Sequence, residues 1–323
     1  MTVELSVREA IAETMHREME RDERVFVQGI DVAGRGGTFG VLEGLSEAFG
    51  TERVRNTPIS EVAIVGSGLG AAMTGMRPVV EVMYSGFLGV PMDQVLNQVA
   101  KLRYMTGGNV DVPLTIRTQN TSGYSAAAQH SQALHQLLMA IPGLKVVCVS
   151  TPRDAAGLLT AAIRHDDPVA LFEHAGVYNR EGPAPEGEFE LPIGEAAVER
   201  EGADVTVVAT QVQLWNALEA AERLAGDVSV EVVSPRTIDP LDVDTIAASV
   251  RKTGRCVVVD ETPLRGGTQS EWATQITEAA FFDLDFPVQR VGVADVPVPF
   301  SEPLEAEVVP DVDDVVDAVR TLA

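Results

Sequence analysis

The sequence predicts an α/β protein made of two doubly wound domains. Short apolar runs typical of strands alternate with helical patterns along almost all of the 323 residues, which indicates parallel sheets covered by helices. Hydrophobic residues make up 45% of the chain but aromatic residues only 5%, so the predicted core is rich in Val, Ala, Leu and Ile, as buried parallel strands require. The alternation stops once, at residues 182–192, where Pro, Gly and acidic residues follow one another without periodicity. We therefore predict domains at 1–181 and 204–323, joined by a linker at 182–203.

The elements of the first domain follow from apolar spacing and from turn residues. Predicted strands are Val25–Ile30, Val79–Tyr84, Pro113–Arg117, Leu144–Val149 and Val169–Glu173. Predicted helices are Ser6–Arg21, Val41–Phe49, a glycine-rich helix after Ser60, Pro91–Tyr104, a helix beginning near Ser131, and Pro152–Arg164.

The same alternation restarts in the second domain, which shows no nucleophile motif, metal cluster or phosphate loop. Predicted strands are Val205–Thr210, Val228–Val233, Cys256–Asp260 and Val288–Val293. Predicted helices are Gln211–Leu224, Asp242–Val250, Gln269–Ala280 and Val312–Leu322.

Charge and cysteine usage narrow the possible functions. The formal net charge of −24 argues against nucleic-acid binding through phosphates and indicates either a highly soluble chain or an acidic face for a basic partner. The apolar runs are too short and too interrupted to cross a bilayer, and no signal peptide precedes the first helix. Cys148 and Cys256 lie in apolar strand patterns without metal-ligand spacing, so we expect buried thiols in a reducing cytoplasm.

The segment 56–76, NTPISEVAIVGSGLGAAMTGM, organises the first domain. Ser60 is a candidate N-cap and Glu61 lies in the first helical turn, where the helix dipole favours a carboxylate. Its glycines are costly in a helix, which indicates close packing against a second helix, across a subunit interface. A carboxylate at this position either caps its own helix or is an acid whose ionisation burial controls.

Three further features are ambiguous from the residues alone. The glycines of DVAGRGGTFG (31–40) either cradle an anion or turn the chain. Phe87 follows the strand end at which α/β proteins bind ligands, so it either stacks on a planar ring or fills the core. His130 precedes a predicted helix and is either a surface residue or a functional histidine.

Taken in order, several segments resemble the beta subunits of thiamine-diphosphate-dependent 2-oxoacid dehydrogenases, the decarboxylating components of those complexes. The matching segments are GRGGTFGVLEGLSEAFG, NTPISE, RPVVEVMYSGF, MDQVLNQVAKLRYMTGG, QHSQALHQLLMAIPGLKVV, STPRDAAGLLTAAIRHDDPV, SPRTIDPLD and VPVPFSEPLE. They run from about residue 6 to the C-terminus, and AAAQHSQAL with FEH looks most like the acetoin and pyruvate branches.

The resemblance implies a transketolase-like fold and a role for each candidate residue. It implies that Glu61 hydrogen-bonds the aminopyrimidine of thiamine diphosphate, and that Phe87 packs on that ring. His130 would then act near the substrate carbon, on intermediates or on the lipoyl group. The backbone carbonyls of Ala162, His165 and Asp167 match a loop that binds potassium in some relatives.

The resemblance also implies partners. The chain lacks the GDG motif and later paired asparagines that hold diphosphate and magnesium on the family's alpha subunit, so we expect an α2β2 heterotetramer in which alpha holds the magnesium. It further implies docking on a lipoyl acyltransferase core. One departure is Ile30, where relatives carry an acid of a polar tunnel between cofactors, which puts proton relay through that tunnel in doubt.

Three functions are compatible with these observations. The first is a catalytic beta subunit that decarboxylates a 2-oxo acid, or cleaves acetoin, and passes the acyl group to lipoyl-lysine. The second is a scaffold subunit that has lost its chemistry, and the third is a split transketolase-like enzyme that transfers a ketol unit.

Overall fold

The computed structural model describes residues 2–323, which form two compact units. The first unit comprises residues 2–120 together with Leu137–Ile193. The second comprises Thr121–Gln136 together with Gly194–Ala323. The sequence predicts a division after residue 181 and a linker at 182–203, whereas the chain passes between units at three places. The segment Thr121–Gln136, which lies in the N-terminal half of the sequence but belongs to the second unit, is called the exchanged segment below. It contains His130.

A parallel sheet forms the centre of the first unit. Its strands are β2 (Val25–Gly29), β3 (Val54–Asn56), β4 (Arg77–Glu81), β5 (Thr115–Asn120), β6 (Lys145–Cys148) and β7 (Val169–His174), in the order β6-β7-β5-β4-β2-β3. A separate antiparallel ribbon pairs β1 (Thr2–Ser6) with β8 (Glu181–Pro185). The beginning of the predicted linker is therefore a paired strand.

The helices of this part of the chain include two that begin at capping boxes. They are α1 (Val7–Arg21), α2 (Val32–Arg35), α3 (Leu45–Phe49), α4 (Glu61–Met73), α5 (Leu102–Met105), α6 (His135–Met139) and α7 (Pro152–Arg164). Ser6 Oγ accepts from Glu9 N at 3.2 Å, and Thr151 Oγ1 accepts from Asp154 N at 3.1 Å. The predicted helices Ser6–Arg21 and Pro152–Arg164 are confirmed. In each of them a polar cap fixes the residue at which the helix begins.

One predicted helix is wrong, and another begins later than predicted. Residues 91–104 do not form one regular α-helix, since a π-helical turn at Gln94–Val99 precedes the short α5. The helix predicted near Ser131 begins four residues later, at His135. The intervening residues form turns, in which the amides of His130 and Ser131 both donate to the Ala127 carbonyl.

The second unit contains a smaller, mixed sheet. Its strands are β9 (Ala197–Arg200), β10 (Val205–Ala209), β11 (Val230–Ser234), β13 (Cys256–Pro263) and β14 (Gln289–Val293), in the order β14-β13-β10-β11-β9 with β9 antiparallel; β12 (Thr237–Asp239) lies between β11 and β13 in the chain. The helices are α8 (Gln211–Arg223), α9 (Val243–Thr253), α10 (Thr268–Ala280), α11 (Glu302–Glu305) and α12 (Val312–Leu322). Valines of β10, β11 and β13 pack against α8 and α12, which confirms the predicted α/β class.

Cysteines and helix lengths agree with the sequence predictions. Cys148 and Cys256 are buried free thiols, and burial raises the pKa of Cys256 to about 12. Among residues 2–323, every helix is too short or too polar to reach across a lipid bilayer. The same residues contain no group of three His, Cys, Asp or Glu side chains suited to a metal ion.

Candidate active site

Glu61 is the first residue of α4, and most of its surface is buried. Ser60 occupies the N-cap position, but its hydroxyl does not cap the helix. Glu61 is only 8% exposed. Within residues 2–323, its carboxylate has no hydrogen-bond or ion-pair partner. A carboxylate in this state is available to accept a hydrogen bond from an N–H group of a ligand.

The glycines of α4 serve different purposes. Gly68 faces the sheet, where an added Cβ would lie 2.6 Å from Val80 Cγ1 and 3.2 Å from Leu114 Cδ1. It therefore lets α4 lie on β4 rather than on a second helix. Gly70 is exposed with no atom within 4 Å of an added Cβ, and Gly66 meets only Gln94 Cγ at 3.8 Å. For this outer face, contact with another subunit stays a prediction.

Phe87 lies in a 3-10 turn, Ser85–Gly89, at the end of the chain segment that contains β4. Its ring is half-buried and makes an edge contact with Tyr84, with ring centroids 6.2 Å apart. Tyr84 in turn contacts Phe39 at 5.7 Å, and Phe39 contacts Tyr178 at 5.6 Å. Phe87 thus belongs to a row of aromatic side chains in the first unit, and its contact with a planar ligand stays a prediction.

A buried charge network lies beside these residues and was not predicted. Arg117 donates to Glu173 through Nε and Nη2, at 2.7 and 2.9 Å, and to Glu81 through Nη1 at 2.9 Å. Tyr178 donates its hydroxyl to Glu173 at 2.6 Å. Burial, with the charge of Glu173, raises the pKa of Glu81 to about 7 although Arg117 opposes that shift. The sheet therefore contains an acid that titrates near neutral pH.

The glycine-rich loop turns the chain around this acid. Gly34, Gly36 and Gly37 have φ of 82°, 69° and 83°, which favours glycine, and confirms the turning role. An added Cβ on Gly37 would lie 2.5 Å from Glu81 Oε1. An added Cβ on Gly29 would lie 3.0 Å from Glu81 Cβ. The buried acid Glu81 thus lies beside Gly29, the last residue of β2, which directly precedes Ile30.

His130 lies in the second unit, on the exchanged segment Thr121–Gln136. It is half-buried, and its carbonyl accepts a hydrogen bond from Thr121 Oγ1. Two carboxylates of the second unit bind the segment on either side of His130. Glu305 accepts from the amides of Gly123 and Ser125, and Asp260 pairs with the His135 ring.

Positive side chains from elsewhere in the chain contact the loop proposed for potassium. Arg77 Nη1 donates to the carbonyls of Ile163, Arg164 and His165 at 3.1, 2.9 and 3.1 Å. Asp167 accepts from Arg103 at 2.6 Å and from Lys145 at 3.1 Å. Any ion bound here would share the His165 carbonyl with a guanidinium.

Comparison with known proteins identifies the family. The family model described as the transketolase pyrimidine binding domain matches residues 3–180, and that of the transketolase C-terminal domain matches residues 194–315. The chain is 43% identical to the acetoin:2,6-dichlorophenolindophenol oxidoreductase subunit beta of Bacillus subtilis, covering 98% of this chain and 97% of that one. It is 42% identical to the 2-oxoisovalerate dehydrogenase subunit beta of the same organism, covering 99% and 98%. This chain belongs to the beta-subunit family of 2-oxoacid and acetoin dehydrogenases.

Two more comparisons concern the family and the fold. The pyruvate dehydrogenase E1 component subunit beta-1 of Arabidopsis thaliana, a mitochondrial protein, is 42% identical, covering 98% of this chain and 89% of the relative. A solved structure described as a split gene transketolase, an inactive beta4 tetramer, has a TM-score of 0.79 and 24% identity, covering 98% of both chains. The predicted transketolase-like fold is confirmed.

Among the predicted site residues, the structure places Glu61 and Phe87 of this beta subunit in the first unit and His130 in the second. Glu61 fits the aminopyrimidine of thiamine diphosphate, because its carboxylate is nearly buried and has no partner within residues 2–323. Phe87 fits through its half-buried ring. The residues that sequence reasoning missed are Glu81, Arg117 and Glu173. Their signal was a single charged residue in each of three predicted strands, Val79–Tyr84, Pro113–Arg117 and Val169–Glu173.

Proposed function

We propose that this chain is the beta half of a thiamine-diphosphate-dependent dehydrogenase that decarboxylates a 2-oxo acid and transfers the acyl group to lipoyl-lysine. In that reaction the bond between C1 and C2 of the substrate breaks and carbon dioxide leaves. The acyl group then binds one lipoyl sulfur while the disulfide is reduced. The alternative substrate is acetoin, which appears in the name of one relative and which this chain would help to cleave.

One observation supports the proposal most directly: the nearly buried Glu61 carboxylate at the start of α4, inside the region matched by the pyrimidine-binding model. When bound, thiamine diphosphate supplies the carbanion that attacks the 2-oxo carbon. Glu61 would hold a hydrogen bond at the ring nitrogen of the aminopyrimidine and thereby control the basicity of the amino group. Phe87 would pack on the ring, and His130 would move a proton at the substrate oxygen or steer the lipoyl group.

The partners follow from charge and from the relatives. A chain of net charge −24 without a diphosphate motif is a poor holder of several phosphate charges, so magnesium and diphosphate belong to an alpha subunit. We propose an α2β2 heterotetramer that docks on a lipoyl acyltransferase core. The bacterial relatives and the two free buried thiols support a cytoplasmic location.

Reconstitution with an alpha subunit tests the proposal. The chain alone should show no activity, and the complex should reduce lipoyl-lysine with one or more of pyruvate, branched-chain 2-oxo acids and acetoin. Glu61→Gln should lower the rate by about 10²–10⁴-fold, since it removes the controlling carboxylate. The matched control is Glu52→Gln, an exposed acid of the same unit, which should leave the rate unchanged.

Two outcomes favour the competing functions. An unchanged rate in Glu61→Gln would indicate a scaffold subunit. Ketol transfer to an aldose phosphate, without acyl transfer to lipoamide, would indicate a split transketolase-like enzyme.

Potassium is a further proposal for the C-terminal end of α7. The carbonyls of Ala162, His165 and Asp167 would hold it, and the helix dipole favours a cation there. Arg77 also donates to the His165 carbonyl and would compete with the ion for it. We assign the ion a structural role. The melting temperature should be higher in KCl than in NaCl at equal ionic strength, and equal values would contradict the site.

A further inference from the structure

The segment Thr121–Gln136 belongs to the second unit although the chain leaves the first unit to form it and returns afterwards. His130 lies in the middle of this segment, five residues after Ser125 and five before His135. Four residues separate His130 from Ser125, and four separate it from His135. At each of these two residues, the segment is bound by a carboxylate from the rest of the second unit.

The first point of attachment is Glu305, the last residue of α11. Its carboxylate accepts from Gly123 N at 2.9 Å and from Ser125 N at 2.7 Å, and the side chain is 3% exposed. Both donors lie on residues of positive φ, 80° for Gly123 and 50° for Ser125, so the backbone turns both amides toward one acid. Hydrogen bonds to an ionised acceptor are short and strong, which fixes this end of the segment.

The second point of attachment is Asp260, in β13. Its two carboxylate oxygens lie 2.9 and 3.1 Å from Nε2 of His135, whose ring is fully buried. Thr262 holds the same carboxylate through its amide at 3.2 Å and its hydroxyl at 2.5 Å. Burial alone would raise the pKa of Asp260, but His135 and the hydrogen bonds from Thr262 keep that pKa below its usual range.

We infer that Glu305 and Asp260 are positioning residues for the reaction, because they hold the segment that presents His130. This inference rests on the proposed role of His130. It assigns residues of the C-terminal part of the second unit, Gly194–Ala323, a part in the chemistry, although that part of the sequence contains no catalytic motif. A flexible segment would displace His130 from the reacting atoms, and a displacement of about 1 Å costs about 10²-fold in rate.

A double-mutant cycle in the reconstituted complex tests the inference. Glu305→Ala and Asp260→Asn should each lower acyl transfer to a lipoyl domain by about 10-fold or more. In a His130→Gln background, the same changes should cause no further loss, since the residue that they position is gone. Glu305→Gln keeps one acceptor oxygen and should recover part of the rate.

The control is Thr206→Val, which removes buried hydrogen bonds to Ser249 and Thr253 in the same unit. It should lower the melting temperature, yet its effect on rate should be equal in the wild-type and His130→Gln backgrounds. Hydrogen exchange should increase within residues 126–134 in Glu305→Ala and Asp260→Asn but not in Thr206→Val.

Two results would overturn the inference. Losses that multiply in the His130→Gln background would show that the two carboxylates act independently of His130. An unchanged rate in His130→Gln alone would remove His130 from the reaction and this inference with it. The proposed function would then still be decided separately, by the activity of Glu61→Gln.

Discussion

Arg117 donates two parallel hydrogen bonds to the carboxylate of Glu173, at 2.7 and 2.9 Å, and neither side chain has any exposure to solvent. The same guanidinium binds Glu81, so one cation balances two buried acids. The two buried carboxylates, Glu81 and Glu173, therefore share the guanidinium of Arg117 as their counter-charge. Removing one partner of a buried pair is much more costly than the pair is stabilising.

Arg117→Met should consequently lower the free energy of unfolding by about 3–5 kcal/mol, because Glu81 and Glu173 lose their counter-charge. Urea unfolding of the purified chain measures the change. The control is Arg24→Met, whose pair with Asp22 lies at the surface and should contribute no more than about 1 kcal/mol. A loss for Arg117→Met as small as that of the control would contradict the network.

Glu81 should make stability depend on pH. Burial and the charge of Glu173 raise its pKa from 4.5 to about 7 in the folded chain, against the opposing effect of Arg117. Between those values the folded chain holds a proton that the unfolded chain releases, so this group's contribution to stability is present below about pH 4.5 and lost as the pH rises toward 7.

The free energy of unfolding of the wild type should therefore fall, relative to Glu81→Gln, between about pH 5 and pH 7. Other titrating groups are common to both proteins and cancel in the difference. Parallel curves for the two proteins across this range would show that Glu81 is ionised throughout.

Two glycines of α4 should respond in opposite directions to alanine. Gly68→Ala places a methyl group 2.6 Å from Val80 Cγ1 and should lower the free energy of unfolding by about 1–3 kcal/mol. Gly70→Ala points into open space within the chain and should raise it by about 0.5–1 kcal/mol, since alanine favours helix. Denaturant unfolding of both variants checks the signs.

The same Gly70→Ala variant tests the predicted subunit contact of the outer face of α4. If another backbone approaches that face, the change should weaken assembly with the alpha subunit or with a second beta chain. Sedimentation of the reconstituted complex measures this. Unaltered assembly would assign Gly70 no role in the interface.

The two buried thiols should be unreactive in the folded chain. Because the pKa of Cys256 is raised to about 12, its reactive thiolate is scarce at neutral pH, and Cys148 is equally enclosed. Neither residue should react with iodoacetamide in the folded chain, whereas both should react in urea. Rapid labelling of the native protein would disagree with the burial of both side chains.

Local signals allowed much of the fold to be predicted from sequence. The starts of α1 and α7 were predictable because Ser6 with Glu9, and Thr151 with Asp154, satisfy the first amides of each helix. The helix start at Glu61 was predicted in the same way, whereas the catalytic role of Glu61 came from the family resemblance and stays a prediction. The π-helical turn at Gln94–Val99 was not, because the bond from Ala100 N to Val95 O leaves no trace in the pattern of apolar residues.

Long-range features were harder to predict. Glu81, Arg117 and Glu173 are far apart in the chain, and only the parallel register of β4, β5 and β7 brings them together. The attachment of residues 121–136 to the second unit likewise depends on Asp260 and Glu305, which come more than a hundred residues later. Composition and periodicity describe neighbours in sequence and therefore could not show either arrangement.

The exchanged segment Thr121–Gln136 has a practical consequence for protein engineering. A chimera joined at residue 193, between the two family models, would combine the His130 segment of one parent with Asp260 and Glu305 equivalents of another. Grafting the C-terminal half together with residues 121–136 of the same parent would keep each acid with its own amide and imidazole donors. Successful recombination between relatives should therefore require two crossovers inside the N-terminal half in addition to the obvious junction.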